Sequence, residues 1–164
     1  MNRLAPLLSS QRDDWETPRA LFEVLDAEFR FDLDPAASPT TAKCARWYGP
    51  GSPLAEDGLS APWSGRVFLN PPYGTRIARW VEAAHRWGHS GACEVVVALL
   101  PARTDTLWFH RHVLRAGEIR FIRGRLTFEG GHYPAPFPSM IVIWRPGDGE
   151  QPCPRVVGWD WRQG

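Results

Sequence analysis

The stretch Arg66-Val67-Phe68-Leu69-Asn70-Pro71-Pro72-Tyr73-Gly74 constrains this chain more than any other. Val67, Phe68 and Leu69 form a β-prone apolar run too short for a helix, and two successive prolines remove backbone donors and fix φ, so the strand ends there. Asn70 therefore sits at the carboxyl end of a strand, the edge of an open α/β sheet at which ligands bind. The Asn70 side-chain oxygen and the Pro71 carbonyl are acceptors, Pro72 stiffens the turn, and Tyr73 offers an aromatic face. Two acceptors beside a ring suit a planar molecule with an exocyclic amino group, such as adenine. The amine would donate both hydrogens to the oxygens and turn its lone pair outward. A helix is predicted after the turn, from near Thr75, with Ile77, Trp80, Val81 and Ala84 on one face.

The rest of the chain reads as alternating strands and helices. Thr17 as N-cap and Pro18 at the first helical position predict a helix to about Glu28, with Leu21, Phe22, Leu25 and Phe29 as its apolar stripe. Phe31 to Ser38 reads as a short strand running into a small-residue turn, with Asp34 at its end followed by Pro35, Ala36 and Ala37. From Pro39 to Ser64 the sequence is rich in proline and glycine, and only Ala42 to Trp47 predicts a helical turn or two. Glu94 to Leu100 is a continuous apolar run, the pattern of a central parallel strand. Thr104 is expected to cap a helix to about Ala116, stopped by Gly117. Glu118–Ile122 and Met140–Trp144 are expected to pair as an antiparallel edge. Strand and helix in alternation predict an α/β fold with right-handed crossovers.

The 164 residues suffice for one domain with a real core and not for two. We divide the chain into a flexible N-terminal arm (1–13), a catalytic or binding domain (14–147) and a C-terminal tail (148–164) whose Val156, Val157, Trp159 and Trp161 pack back on it. A net charge of +1 supplies no overall field toward nucleic acid, although a local basic face is compatible with it. Lys43 is the single lysine among 19 basic residues, a bias from which no function is read. Cys44, Cys93 and Cys153 are odd in number and widely spaced, which argues against a disulfide framework and fits a reducing cytoplasm. No window is apolar and long enough for a membrane span or signal segment. His85, His89 and Cys93 recur every four residues, but Gly88 and Gly91 interrupt the helix that would align them, so no metal site is expected.

Asn70-Pro71-Pro72-Tyr73 in its strand-turn-helix setting resembles the catalytic motif of amino-group methyltransferases that use S-adenosylmethionine. With Trp15-Glu16-Thr17-Pro18, Asp34-Pro35-Ala36-Ala37, Arg123 to Phe128 and Pro136-Phe137-Pro138-Ser139 in the same order, the chain resembles the small phage-type adenine DNA methyltransferases of the Dam group. The resemblance implies a single-domain, Rossmann-like methyltransferase fold, mostly parallel with an antiparallel C-terminal edge and shortened between the first and fourth motif strands. It implies phage or prophage origin, location in the (host) cytoplasm, S-adenosylmethionine as cofactor and DNA as partner. It assigns catalysis to Asn70, Pro71, Pro72 and Tyr73, and cofactor contacts to Trp15, Thr17, Pro18, Asp34, Pro35 and Ala36. The sequence departs from the pattern in having no Gly-x-Gly after Asp34.

Asp57, in Asp57-Gly58-Leu59, is the candidate contact to the cofactor's adenosine. Arg120, Arg123 and Arg125, with Phe128 and Tyr133, combine charge and rings, a surface suited to phosphates and to a base turned out of its stack. Arg123, Arg125, Phe128 and Tyr133 are the substrate-binding candidates. Cytosine, RNA adenine or a protein glutamine amide are alternative acceptors, and an inactive nucleic-acid-binding module is the alternative of another class. No insertion is large enough for a separate recognition domain, so target choice is expected to rest in loops or in a homo-oligomer.

Overall fold

The computed structural model describes residues 14–163. The expected arm, 1–13, lies outside the described residues. Seven strands form one sheet: β1 (Leu33–Asp34), β2 (Arg46–Trp47), β3 (Gly65–Leu69), β4 (Cys93–Pro101), β5 (Glu118–Ile122), β6 (Ser139–Trp144) and β7 (Arg155–Trp159). Their spatial order is β2-β1-β3-β4-β6-β5-β7. The pairs from β2 through β4 are parallel, β6 is antiparallel to both β4 and β5, and β7 is parallel to β5. This is the mostly parallel sheet with an antiparallel pair in its C-terminal half that the sequence predicts.

The helices are α1 (Arg19–Phe29), α2 (Ile77–His89) and α3 (Leu107–His112), the last continued by a 3-10 turn, Val113–Arg115. Helix α1 buries Leu21, Leu25 and Phe29 and sets Phe22 edge-on to Phe68 of β3. Helix α2 buries Ile77, Trp80, Val81, Ala83 and Ala84, the stripe dictated by a 3.6-residue period. Strand β4 is apolar on both faces, with only Glu94 exposed, because it is covered on both sides. Gly88 lies inside α2, where the sequence suggested an interruption. An added Cβ there would stand 2.4 Å from Trp144 Cβ, so this glycine lets the helix settle onto β6.

Four local expectations are corrected. Helix α1 begins at Arg19 with Pro18 in the N-cap position and no side-chain cap, so Thr17 does not cap it; its hydroxyl is used elsewhere. Ala42 to Trp47 is not helical: Arg46 and Trp47 pair in parallel with Leu33 and Asp34 as strand β2. The cap of α3 is Thr106, whose hydroxyl accepts the Phe109 N–H, while Thr104 stands two residues before that cap. Residues 155–159 of the expected tail add a seventh strand to β5, with Arg155 to Trp159 in register with Glu118 to Ile122.

The chain leaves β1 toward β2 and returns to β3 on the other side of β1. The strand order thus reverses between β1 and β3, and in such sheets the crevice beyond the carboxyl ends at the reversal is where ligands bind. Asp34 ends β1 and Asn70 follows β3, so both stand at that crevice.

Candidate active site

The crevice is a cavity of about 360 Å³ lined by residues of three segments: Asp14 to Thr17, the Asp34 loop as far as Lys43, and Asn70 to Pro72. Glu129 closes it from the loop between β5 and β6. Among the residues expected in the site, Trp15, Thr17, Asp34, Ala36, Asn70, Pro71 and Pro72 line this cavity together.

The side chain of Asn70 is held across the chain, not against its own turn. Its Nδ2 donates to the Thr17 hydroxyl at 2.9 Å and to the Trp15 carbonyl. A carbonyl oxygen can only accept, so the amide must present its N–H2 edge to Trp15. The opposite edge follows: Asn70 Oδ1 is buried and has no hydrogen-bond partner among the described residues. Such an acceptor costs about 1–3 kcal/mol in a folded interior, which marks the atom as one kept for a ligand's donor.

Asp34 is 4% exposed. Its carboxylate accepts the N–H of Ala36 at 3.2 Å and of Lys43 at 3.1 Å, which shapes the loop around it. Burial outweighs these bonds and pushes its pKa up from 3.8 to about 6. Beside it Lys43 Nζ bridges to Glu16 at 3.0 Å. Glu129 receives the Arg19 N–H at 2.7 Å and returns its own N–H to the Glu16 carbonyl at 3.0 Å, binding the β5–β6 loop to the segment before α1. A buried carboxylate that burial, outweighing the nearby Lys43, makes costly to ionise, and a buried amide oxygen on the same cavity, fit a ligand carrying a cationic centre and an acceptor molecule carrying an amino group.

The aromatic side of the turn differs from expectation. Tyr73 is 4% exposed, its hydroxyl donates to the Leu99 carbonyl at 2.9 Å, and burial pushes the phenol pKa up. Phe128 and Phe137 pack edge-on against its ring at 6.2 and 5.6 Å, and Trp15 packs on both of them. The ring is therefore a wall of an aromatic cluster beside the cavity and does not offer the open face expected. Phe128 is likewise buried, at 3%.

Other candidates fall elsewhere. Pro18 and Pro35 are outside the lining. Asp57 is on the surface, where its carboxylate accepts the Leu59 N–H and the Ser60 hydroxyl; the Leu59 bond, the larger cause, lowers its pKa. It is a turn-former and is not at the cavity. Arg120 is no phosphate hook: its guanidinium makes two bonds to Glu28 at 2.7 and 2.6 Å and one to Glu118. Arg123 and Arg125 are exposed, Arg123 with Asp160 at 3.8 Å and Arg125 with the Ala135 carbonyl at 3.4 Å. Tyr133 is 83% exposed at the tip of the same loop. None of these three lines the cavity.

Sequence reasoning missed Glu16, Ser38, Thr41, Lys43 and Glu129. The one available signal was the single lysine, which proves to line the cavity. His85 lies against His89 and His112, at 4.6 and 5.0 Å between ring centroids, and Cys93 is not part of this trio. Among the described residues no group of three or more His, Cys, Asp or Glu could hold a metal ion. No helix among them is long and apolar enough to cross a membrane.

Residues 5–156 match the family described as DNA N-6-adenine-methyltransferase (Dam). A DNA N-6-adenine-methyltransferase of Escherichia phage T1 is 32% identical over 128 residues, covering 74% of this chain and 50% of that protein. The chain thus spans about half the length of the phage relative it matches. Among solved structures, the 23S rRNA methyltransferase ErmE aligns with a TM-score of 0.50 at 13% identity, over 82% of this chain and 70% of that one. A protein of Pyrococcus horikoshii described as an RNA methyltransferase aligns at 0.51 and 11% identity, over 86% and 96%. At such identities these two establish the Rossmann-like fold alone.

Proposed function

We propose, from the premise that this chain belongs to the DNA N-6-adenine-methyltransferase (Dam) family, that it transfers a methyl group from S-adenosylmethionine to the exocyclic amino group of adenine in DNA. The observation that carries this reading is Asn70 Oδ1, a buried acceptor with no partner among the described residues, on a cavity shared with a buried carboxylate. S-adenosylmethionine, when bound, supplies an electrophilic methyl on a sulfonium. Trp15, Asp34 and Ala36 would hold it, the Asp34 carboxylate answering its positive charge.

The protein's own task is positioning. Asn70 Oδ1 and the Pro71 carbonyl accept the two amino hydrogens, so the nitrogen becomes pyramidal and its lone pair, drawn out of conjugation with the ring, faces the methyl; one of those hydrogens leaves as a proton once the nitrogen is methylated. Pro71 and Pro72 keep both oxygens in place, because their φ is fixed by the ring. This is catalysis by orientation and by preorganised dipoles, with no covalent enzyme intermediate. The amino group of a paired adenine is buried in the duplex, so the base is extruded at a cost of a few kcal/mol. The aromatic cluster of Trp15, Tyr73, Phe128 and Phe137 borders the turn and supplies the apolar wall for it, while Arg123, Arg125 and Tyr133 on the β5–β6 loop contact the flanking strand.

The phage relative supports a phage or prophage origin and, with it, action in the host cytoplasm. Incubation of the purified chain with methyl-labelled S-adenosylmethionine and duplex DNA, then nucleoside mass spectrometry, tests the reading. Label in N6-methyladenine is expected; label in methylcytosine alone, or none, contradicts it.

A further inference from the structure

We infer that Thr17 is a positioning residue for Asn70: the Trp15 carbonyl, which can only accept, dictates that the amide turns its oxygen to the cavity, and the buried Thr17 hydroxyl accepts the other Nδ2 hydrogen and holds the amide there. The inference rests on the proposed function only for its consequence in turnover. The orientation itself is independent of it.

An asparagine amide has two nearly isosteric orientations related by a half-turn, which exchange oxygen and nitrogen. One presents an acceptor to the cavity, the other a donor. Only the acceptor can receive an amino hydrogen, so a half-turn of Asn70 would set N–H against N–H. The choice is made by the groups behind the amide. Thr17 Oγ1 accepts from Nδ2 at 2.9 Å, and the Trp15 carbonyl takes the second hydrogen. In the flipped orientation Oδ1 would meet the Trp15 carbonyl lone pairs and both Nδ2 hydrogens would lose their partners, so Trp15 excludes the flip, while the Thr17 hydroxyl, able to donate or accept, fixes the amide's position rather than its sense.

Three further observations make Thr17 more than a bystander. The residue is 2% exposed, so no water replaces its oxygen. It gives no cap to α1, which leaves the Asn70 bond as the hydroxyl's contact among the described residues and removes the usual structural reason for a threonine before a helix. The backbone on either side is anchored: Lys43 bridges to Glu16 at 3.0 Å, the Glu129 N–H reaches the Glu16 carbonyl at 3.0 Å, and the Arg19 N–H reaches Glu129 Oε1 at 2.7 Å. The segment is thus a rigid backing for the amide.

The test compares Thr17→Val, which keeps the shape and removes the acceptor, with Thr17→Ser, which restores it. In turnover, Thr17→Val lowers kcat about ten- to a hundredfold with the KM for S-adenosylmethionine within about threefold of wild type, and Thr17→Ser recovers most of kcat. A retained kcat with a raised KM would instead make Thr17 a cofactor contact and overturn the inference. A second readout needs no activity. In a nitrogen-15 spectrum the Asn70 side-chain amide pair is identified by its loss in Asn70→Asp. In Thr17→Val that pair moves upfield and exchanges faster with solvent, and in Thr17→Ser it stays near its wild-type position. An unmoved pair in Thr17→Val overturns the inference even if the protein methylates nothing, whereas wild-type inactivity with a shifted pair overturns the proposed function alone.

Discussion

The Asn70 amide nitrogen donates to the hydroxyl of Thr17, a residue 53 positions earlier in the chain, at 2.9 Å. That bond leaves Asn70 Oδ1 as a buried acceptor with no donor among the described residues. Asn70→Ala removes the acceptor and creates no clash, so methyl transfer falls by at least about 10²–10³-fold, the scale seen when one preorganised polar group is deleted. Binding of S-adenosylmethionine by calorimetry stays within a few-fold. Unchanged turnover in the folded variant would remove Asn70 from the mechanism.

Tyr73 acts first as a structural residue. Its hydroxyl bonds the Leu99 carbonyl at 2.9 Å in the interior. Tyr73→Phe leaves that carbonyl unsatisfied and lowers unfolding free energy by about 1–3 kcal/mol in urea titrations, while the ring and its contacts to Phe128 and Phe137 persist and kcat changes little. A variant as stable as wild type would show that the bond contributes nothing.

Asp34 gives the protein a pH signature of unusual sign. Burial raises its folded pKa to about 6 from 3.8. Between those values the folded state holds more protons than the unfolded state, so this group's contribution to stability falls as pH rises through the window, by roughly 3 kcal/mol over its width, and is level above about 6. Denaturant titrations from pH 4 to 7 on wild type and Asp34→Asn isolate the effect as their difference. Affinity for S-adenosylmethionine runs the other way, rising toward a plateau above pH 6 as the carboxylate ionises. Parallel stability profiles in the two proteins would contradict the assignment.

Gly88→Ala reverses the usual helix preference. Alanine favours a helix interior by about 1 kcal/mol over glycine, yet here its Cβ would fall 2.4 Å from that of Trp144, which is fixed to the β6 backbone. The overpacking costs about 1–3 kcal/mol, and the variant melts lower. A higher melting temperature would show that α2 can shift off β6 freely.

What the sequence made legible followed from periodicity. Strands β3 and β4, the stripe of α2 and the pair β5 and β6 are long, apolar and bounded by turn residues, so pattern alone located them. Strand β2 is two residues, one of them Arg46, and holds its place only through pairing with β1. Strand β7 has no buried face, so Val156 and Val157 gave no alternation to read. In the site, Asn70 and Asp34 were visible because each ends a strand. Thr17 was mistaken for a cap because the bond that uses its hydroxyl closes only when β3 comes alongside. The covered ring of Tyr73 depends on Phe128 and Phe137, which only the β5–β6 loop brings near. Asp57 failed because an acid before glycine forms the same local turn whether or not a ligand is near.

The central claim is that a buried, correctly turned Asn70 presents an acceptor to the amino group of adenine. Its most direct measurement is methyl transfer to two duplexes that differ only in replacing adenine by purine, which lacks the amino group, scored by labelled nucleosides alongside Asn70→Ala. The account predicts N6-methyladenine from the adenine duplex with wild-type protein, a loss of at least about 10²-fold with Asn70→Ala, and no label in the purine duplex. Equal labelling of both duplexes, or a fully active Asn70→Ala, would contradict it.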